Sequence, residues 1–134
     1  MDLRKKQSSV VDALEDVKGY DIVVFNTAQM PTMFERVIIA SGTSSTQVKA
    51  LADKVREKVE AAGGRIYGIE GEKGGEWVLV DLGDVVVHIM HPTVRGFYNL
   101  EEVWGGKEVK LKHRKTALRK KKPRGAPARR RARR

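Results

Sequence analysis

The basic residues of this chain are crowded at one end, and that crowding decides which part can fold. Of 27 Lys and Arg, 15 lie between Lys107 and Arg134 beside a single acid, Glu108. The preceding 106 residues hold the other 12 basic groups against 16 acidic ones, a net charge of −4. The pI of about 10.0 therefore belongs to a tail and not to the body. The tail alternates cationic clusters with Pro123, Gly125 and Pro127 and has few large apolar residues, so it cannot offset its own ordering entropy. The sequence predicts one folded domain over residues 1–106 and a disordered basic tail over residues 107–134. A body of net negative charge is a poor candidate for a nucleic-acid-binding domain in its own right.

Within the body, apolar spacing assigns the elements. Val10, Val11, Leu14 and Val17 recur at helical steps, predicting a helix over Ser8–Lys18 capped by Ser8 or Ser9 and stopped by Gly19. Two β-branched runs, Asp21–Asn26 and Arg36–Ser41, read as strands buried on both faces and spaced to pair antiparallel. Val48, Leu51, Ala52, Val55 and Val59 line one side of a helix over Thr46–Ala62, ended by Gly63-Gly64. A short strand near Arg65–Ile69 follows, then strands Trp77–Leu82 and Val85–Met90 joined by Gly83-Asp84. A last helix, Thr93–Trp104, starts after Pro92 and presents Val94, Phe97, Tyr98, Leu100 and Trp104 as its apolar face. The fold class is α/β: a single small domain with a mixed β-sheet of about five strands flanked by helices.

The chain contains no cysteine, which removes disulfides, thiol nucleophiles and Cys-ligated metals. No apolar run is long enough to cross a membrane, and the N-terminal Met1–Lys6 stretch is unlike a signal peptide, so the expected location is the cytoplasm. His88 and His91 stand three apart in a strand and so point to opposite faces, which argues against a shared metal. Asp81 and Asp84 flank Gly83 as turn residues do, although paired carboxylates also hold Mg²⁺ at phosphoryl-transfer sites. Gly42-Thr43-Ser44-Ser45 opens a helix, where backbone N–H groups bind phosphate or a Ser caps the first turn. No nucleophilic triad emerges, and no catalytic residue, metal or cofactor is assigned. Trp77, beside Glu70, Glu72 and Glu76, is either an exposed anchor or a core residue, and Tyr98 poses the same choice.

Several blocks then carry a resemblance: Val37-Ile38-Ile39-Ala40-Ser41-Gly42-Thr43-Ser44, Glu70-Gly71, the run from Trp77 through Asp81-Leu82-Gly83-Asp84 to His88, and Arg95-Gly96-Phe97-Tyr98-Asn99-Leu100-Glu101 with Trp104. With these blocks most of Asp21 to Trp104 resembles the ribosomal silencing factor family, also called Iojap-related. The resemblance implies a nucleotidyltransferase-like α/β fold without catalysis, which is a likeness of shape and not of activity. It also implies a translation factor that binds the large ribosomal subunit through a subunit-interface ribosomal protein, blocks joining of the small subunit and lowers translation when nutrients are short. The chain departs from the family pattern at Glu35, where an Asp is usual, and at Thr46-Gln47, where an Arg is common.

Both lines of reading suggest a partner-binding face made of Trp77, Leu79 and Val86 for desolvated contact and Glu70, Asp81 and Asp84 for complementary charge, with His88, Arg95 and Tyr98 beside them. The expected partners are the large ribosomal subunit and, for the basic tail, ribosomal RNA. No membrane is expected, and the protein is a monomer or a homodimer. The rival readings are a nucleotide-binding enzyme of the nucleotidyltransferase kind and a large-subunit assembly factor.

Overall fold

A computed structural model describes residues 1–104, 108–109 and 111. The first helix, α1 (Leu3–Asp16), starts a turn and a half before the expected Ser cap. Asp2 caps it instead, its carboxylate accepting from the Lys5 amide at 2.8 Å. The early start has a packing reason. Lys6 buries its stem and delivers Nζ to the Leu82 carbonyl (2.9 Å) and the Asp84 carboxylate (2.7 Å), so a charged residue fills a core-facing position. At the other end Lys18, not Gly19, takes the left-handed conformation (φ 67°). Gly19 is needed for closeness: a Cβ there would meet a Leu51 methyl at 3.0 Å and the Leu14 carbonyl at 3.1 Å.

Strands β1 (Tyr20–Asn26) and β2 (Arg36–Ser41) pair antiparallel, with Phe25 opposite Val37 and Val23 opposite Ile39. Helix α2 (Ser45–Ala61) buries the five residues its periodicity singled out. The remaining strands are β3 (Gly68–Glu70), β4 (Trp77–Asp81) and β5 (Val85–Met90). β3 and β4 form a second hairpin besides the expected β4–β5 one, and β2 runs parallel to β5. A two-residue strand, β6 (Glu108–Val109), joins the free side of β1 and falls within the stretch that the sequence assigns to the tail. Among the described residues the mixed sheet thus has six strands, in the order β3-β4-β5-β2-β1-β6. The expected disorder of residues 112–134 lies outside the described residues.

The last helix is shorter than its pattern suggests. Helix α3 (Pro92–Tyr98) ends at Asn99, which adopts a left-handed conformation (φ 49°), and a 3₁₀ turn, η1 (Leu100–Trp104), continues in a new direction. The bend lets Val94, Leu100 and Trp104 reach the sheet while Phe97 stays 80% exposed, outside the apolar face assigned to it.

The two faces of the sheet are dressed differently. Both long helices cover one face, where Val10, Leu14, Leu51 and Val55 pack on Val24, Ile38, Val80, Val87 and Ile89. The other face carries Val23, Phe25, Val37, Ile39, Val86 and Met90, all buried beneath the shorter cover of Phe34 and the α3–η1 segment, with Trp77 and Leu79 half-buried beside them.

Candidate functional site

Strand alternation puts Trp77, Leu79 and Asp81, all half-buried, on the face opposite the two long helices. Pairing then extends each into a row across the sheet: Trp77 lies beside Met90, Glu70 and Leu79 beside His88 and Ile39, and Asp81 beside Val86 and Val37. On this lattice sits a chain of aromatic rings. Tyr98 packs on Trp77 (centroids 5.1 Å apart), Trp77 on His88 (5.9 Å), His88 on Trp104 (6.4 Å) and Trp104 on Phe25 (5.8 Å). Such tilted ring contacts, with centroids within about 7 Å, are favourable beyond the area they bury.

One hydrogen bond locks the middle of the chain. The Trp77 indole Nε1 donates to His88 Nδ1 at 3.1 Å. A histidine that accepts at Nδ1 is neutral and carries its proton on Nε2. Burial reinforces that state, lowering the His88 pKa to about 4. The imidazole is thus a fixed acceptor that orients the indole.

The α3–η1 cover is pinned by Arg95, a buried residue. Its guanidinium donates to the Ser41 hydroxyl (2.9 Å) at the end of β2 and grips the Glu101 carboxylate through Nε (3.1 Å) and Nη2 (2.9 Å). The fork crosses the Asn99 bend, tying α3 to η1 and both to the sheet. Tyr98 and Trp104 are held at opposite ends of the Trp77–His88 pair as a result.

The nine residues expected at the site therefore divide into three groups. Trp77, Leu79, Asp81, Glu70 and Tyr98 lie on the open face with accessible surface, Tyr98 being 55% exposed. Val86, His88 and Arg95 are buried beneath or beside them, at 2%, 9% and 9% exposure, and support the face from within. Asp84 stands apart: its carboxylate turns to α1 and pairs with Lys6, on the helix-covered side. Asp81 also does turn work, accepting from the Gly83 amide at 2.9 Å. Sequence reasoning missed Phe25 and left Trp104 and Glu101 outside the site, although the antiparallel spacing of β1 and β2 was the signal that could have placed Phe25 over Val37.

The other candidate chemistry resolves into structure. Ser44 accepts from the Gln47 amide at 3.1 Å, and the Gln47 side-chain oxygen takes both the amide and the hydroxyl of Thr43. The Gln47 amide nitrogen reaches back to the Val17 and Lys18 carbonyls (2.9 and 3.2 Å), so this residue ties the start of α2 to the end of α1. His91 is the N-cap of α3, accepting from the Thr93 amide, while His88 bonds Trp77. Among the described residues no group of three or more His, Asp and Glu is arranged to hold a metal ion.

A small α/β domain with a mixed sheet, two helices on one face and an aromatic chain on the other is the class of protein this geometry defines. Over residues 1–134 the sequence matches the family described as ribosomal silencing factor during starvation, and the chain belongs to that family. It is 48% identical over 108 residues to the ribosomal silencing factor RsfS of Chromobacterium violaceum, covering 81% of this chain and 88% of that one. An X-ray crystal structure of a protein from the same organism, 46% identical, matches with a TM-score of 0.77 over 84% of this chain and 93% of that one. A more distant relative is the mouse protein named mitochondrial assembly of ribosomal large subunit protein 1, 29% identical over 98 residues, which are 71% of this chain and 43% of that protein.

Proposed function

We propose that the open face around Trp77 docks on a ribosomal protein at the subunit interface of the large ribosomal subunit, and that the bound domain blocks association with the small subunit and so represses translation under nutrient limitation. The observation that carries this reading is the partly exposed Tyr98–Trp77–His88–Trp104 ring chain on the sheet face that α1 and α2 leave free. Large aromatic side chains held rigid by neighbours dominate binding energy at interfaces, because little side-chain entropy is left to lose. Leu79 adds desolvated area, and Glu70 and Asp81 offer negative charge to a basic ribosomal surface. Blocking follows from the volume of the domain and needs no catalysis. The cytoplasm fits this role, and among the described residues no helix is long and apolar enough to cross a membrane. The basic tail fits ribosomal RNA, where release of condensed counterions makes binding strong and steeply salt-dependent.

The test is pelleting of purified subunits with the wild-type protein and with Trp77→Ala and Lys6→Met. The wild type and Lys6→Met should pellet with large subunits and not with small ones, and Trp77→Ala should stay in the supernatant. Equal pelleting of Trp77→Ala would remove the face from the account.

The name of the mouse relative favours a second reading, in which the same face serves assembly of the large subunit. Binding restricted to immature particles would decide for it. For a nucleotide-binding role at the helix start, the Gln47 amide is already taken by Ser44 and the Thr43 amide by the Gln47 side chain. A nucleotide present at 100 times its Kd would stabilise the protein by about 2.7 kcal/mol, which a melting curve with ATP and Mg²⁺ reads directly.

A further inference from the structure

Helix α3 turns one side to the sheet and the other to water. Val94 packs on the sheet and Arg95 is buried, whereas Thr93, Gly96 and Phe97, at i, i+3 and i+4 spacing, are exposed together. Phe97 is 80% exposed, more than any other large apolar side chain among the described residues. Its ring meets the Tyr98 ring edge-on with centroids 5.0 Å apart, and so carries the Trp77–Tyr98 series outward. With Tyr98 and Val103, three of the six exposed large apolar residues fall between positions 97 and 103, so this exposure is concentrated and not scattered. Gly96 stands beside the protruding ring. A Cβ built there would meet nothing within 4 Å, and its φ is outside the left-handed range. Neither packing nor backbone conformation within the domain therefore calls for glycine, which weakens a helix interior relative to alanine. Bare backbone next to an exposed ring is a shape that lets another molecule approach closely. Of the charged residues in 92–104, Arg95 is buried and bonded to Glu101, so the exposed Glu102 sets the outward charge.

We infer that Phe97 is the anchor of the docking surface: it inserts into an apolar recess of the ribosomal protein, whose rim rests on the bare backbone at Gly96 and turns a Lys or Arg toward Glu102. The inference rests on the docking reading and deepens it, moving the centre of binding from half-buried Trp77 to the outward side of α3. Burial energy follows the apolar area that leaves water, and Phe97 has most of its ring still to bury while Trp77 has already buried much of its own. Trp77 supports Tyr98, on which Phe97 leans, so Trp77→Ala weakens binding by removing the support. Anchors in such recesses carry most of an interface's affinity, and like charges on the partner would be repelled by Glu102 if they were acidic.

The test is titration of the full chain against purified large subunits, read by pelleting, with Phe97→Ser, Gly96→Ala and Met33→Ser beside the wild type. Phe97→Ser replaces a ring that the fold leaves in water, so it should keep the wild-type melting temperature while raising the Kd about thirtyfold, the scale of an interface hot spot. Gly96→Ala should move stability and binding in opposite directions. Its melting temperature should rise by roughly 2–5 °C as helix propensity improves, and its Kd should rise about tenfold as the added methyl holds the partner off. Met33→Ser removes a side chain that is 79% exposed, from the β1–β2 loop at the far end of the sheet, and should bind as the wild type does. Wild-type binding by Phe97→Ser with Trp77→Ala still defective would overturn the anchor and leave the docking face standing. Equal loss in Phe97→Ser and Met33→Ser would also overturn it, because apolar exposure anywhere on the domain would then drive pelleting. A Phe97→Ser protein that binds normally but no longer self-associates would assign the ring to a second copy of the chain instead. If the wild type itself stays in the supernatant, the docking reading fails and the anchor fails with it.

Discussion

The indole of Trp77 is aimed by a hydrogen bond to His88 Nδ1, 3.1 Å away on the neighbouring strand, and the Tyr98 ring packs on it at a tilt of 45°. An anchor residue is useful in proportion to how little it must be ordered on binding, and here the ordering is done in the free protein. Replacing the ring by one without a donor separates orientation from bulk. Trp77→Phe leaves a buried acceptor unpaired and should cost about 1–2 kcal/mol of stability, read by denaturant titration. It should weaken binding to large subunits less than Trp77→Ala does, since part of the apolar surface remains.

The His88 environment makes stability pH-dependent in a defined window. Its pKa is about 4 in the fold against 6.5 in the unfolded chain, because burial penalises the imidazolium. The unfolded state therefore binds more protons between these values, and stability falls as pH drops from 6.5 toward 4. The shift corresponds to up to about 3 kcal/mol. Unfolding curves across this range should show the loss in the wild type and a flatter profile in His88→Gln.

Arg95 holds the α3–η1 cover rather than the core. Arg95→Met removes the links to Ser41 and Glu101 and should cost about 2 kcal/mol, the usual loss for charged hydrogen bonds. Amide exchange should rise in residues 92–104 and remain unchanged in α1 and α2. Uniform acceleration over the whole domain would show that Arg95 stabilises the fold globally instead.

Lys6 and Asp84 provide the matching control on the other side of the sheet. Lys6→Met loses the bonds to the Leu82 carbonyl and the Asp84 carboxylate but keeps the buried stem, so the cost should be about 2 kcal/mol. Subunit binding should be unchanged. A binding defect without unfolding would move the docking surface to the helix side.

The elements whose burial follows one period were legible in the sequence: β1, β2, α2 and the β4–β5 hairpin match their apolar patterns to within a residue or so. Misreadings occurred where tertiary contacts overrode the pattern. A lysine fills a core-facing position at Lys6, a non-glycine takes the left-handed bend at Asn99, and β6 is too short to show periodicity. The site was legible as a set of residues but not as a surface. Which of them share a face depends on register, set by the two-residue loop in which the Leu82 amide bonds the Val85 carbonyl at 2.8 Å. A slip by one residue would reverse every assignment. Asp84 shows the limit most plainly, since its chemistry suits a partner surface while its position ties it to α1.

The central claim is that the Trp77 face keeps the subunits apart, and subunit joining tests it most directly. Purified large and small subunits are mixed at a magnesium concentration that favours association, with wild-type protein or with Trp77→Ala shown by circular dichroism to be folded, and are separated on a sucrose gradient. The wild type should deplete the joined-ribosome peak and migrate with large subunits, while Trp77→Ala should leave that peak intact. A joined peak undiminished by the wild type, or depleted equally by both proteins, would contradict it.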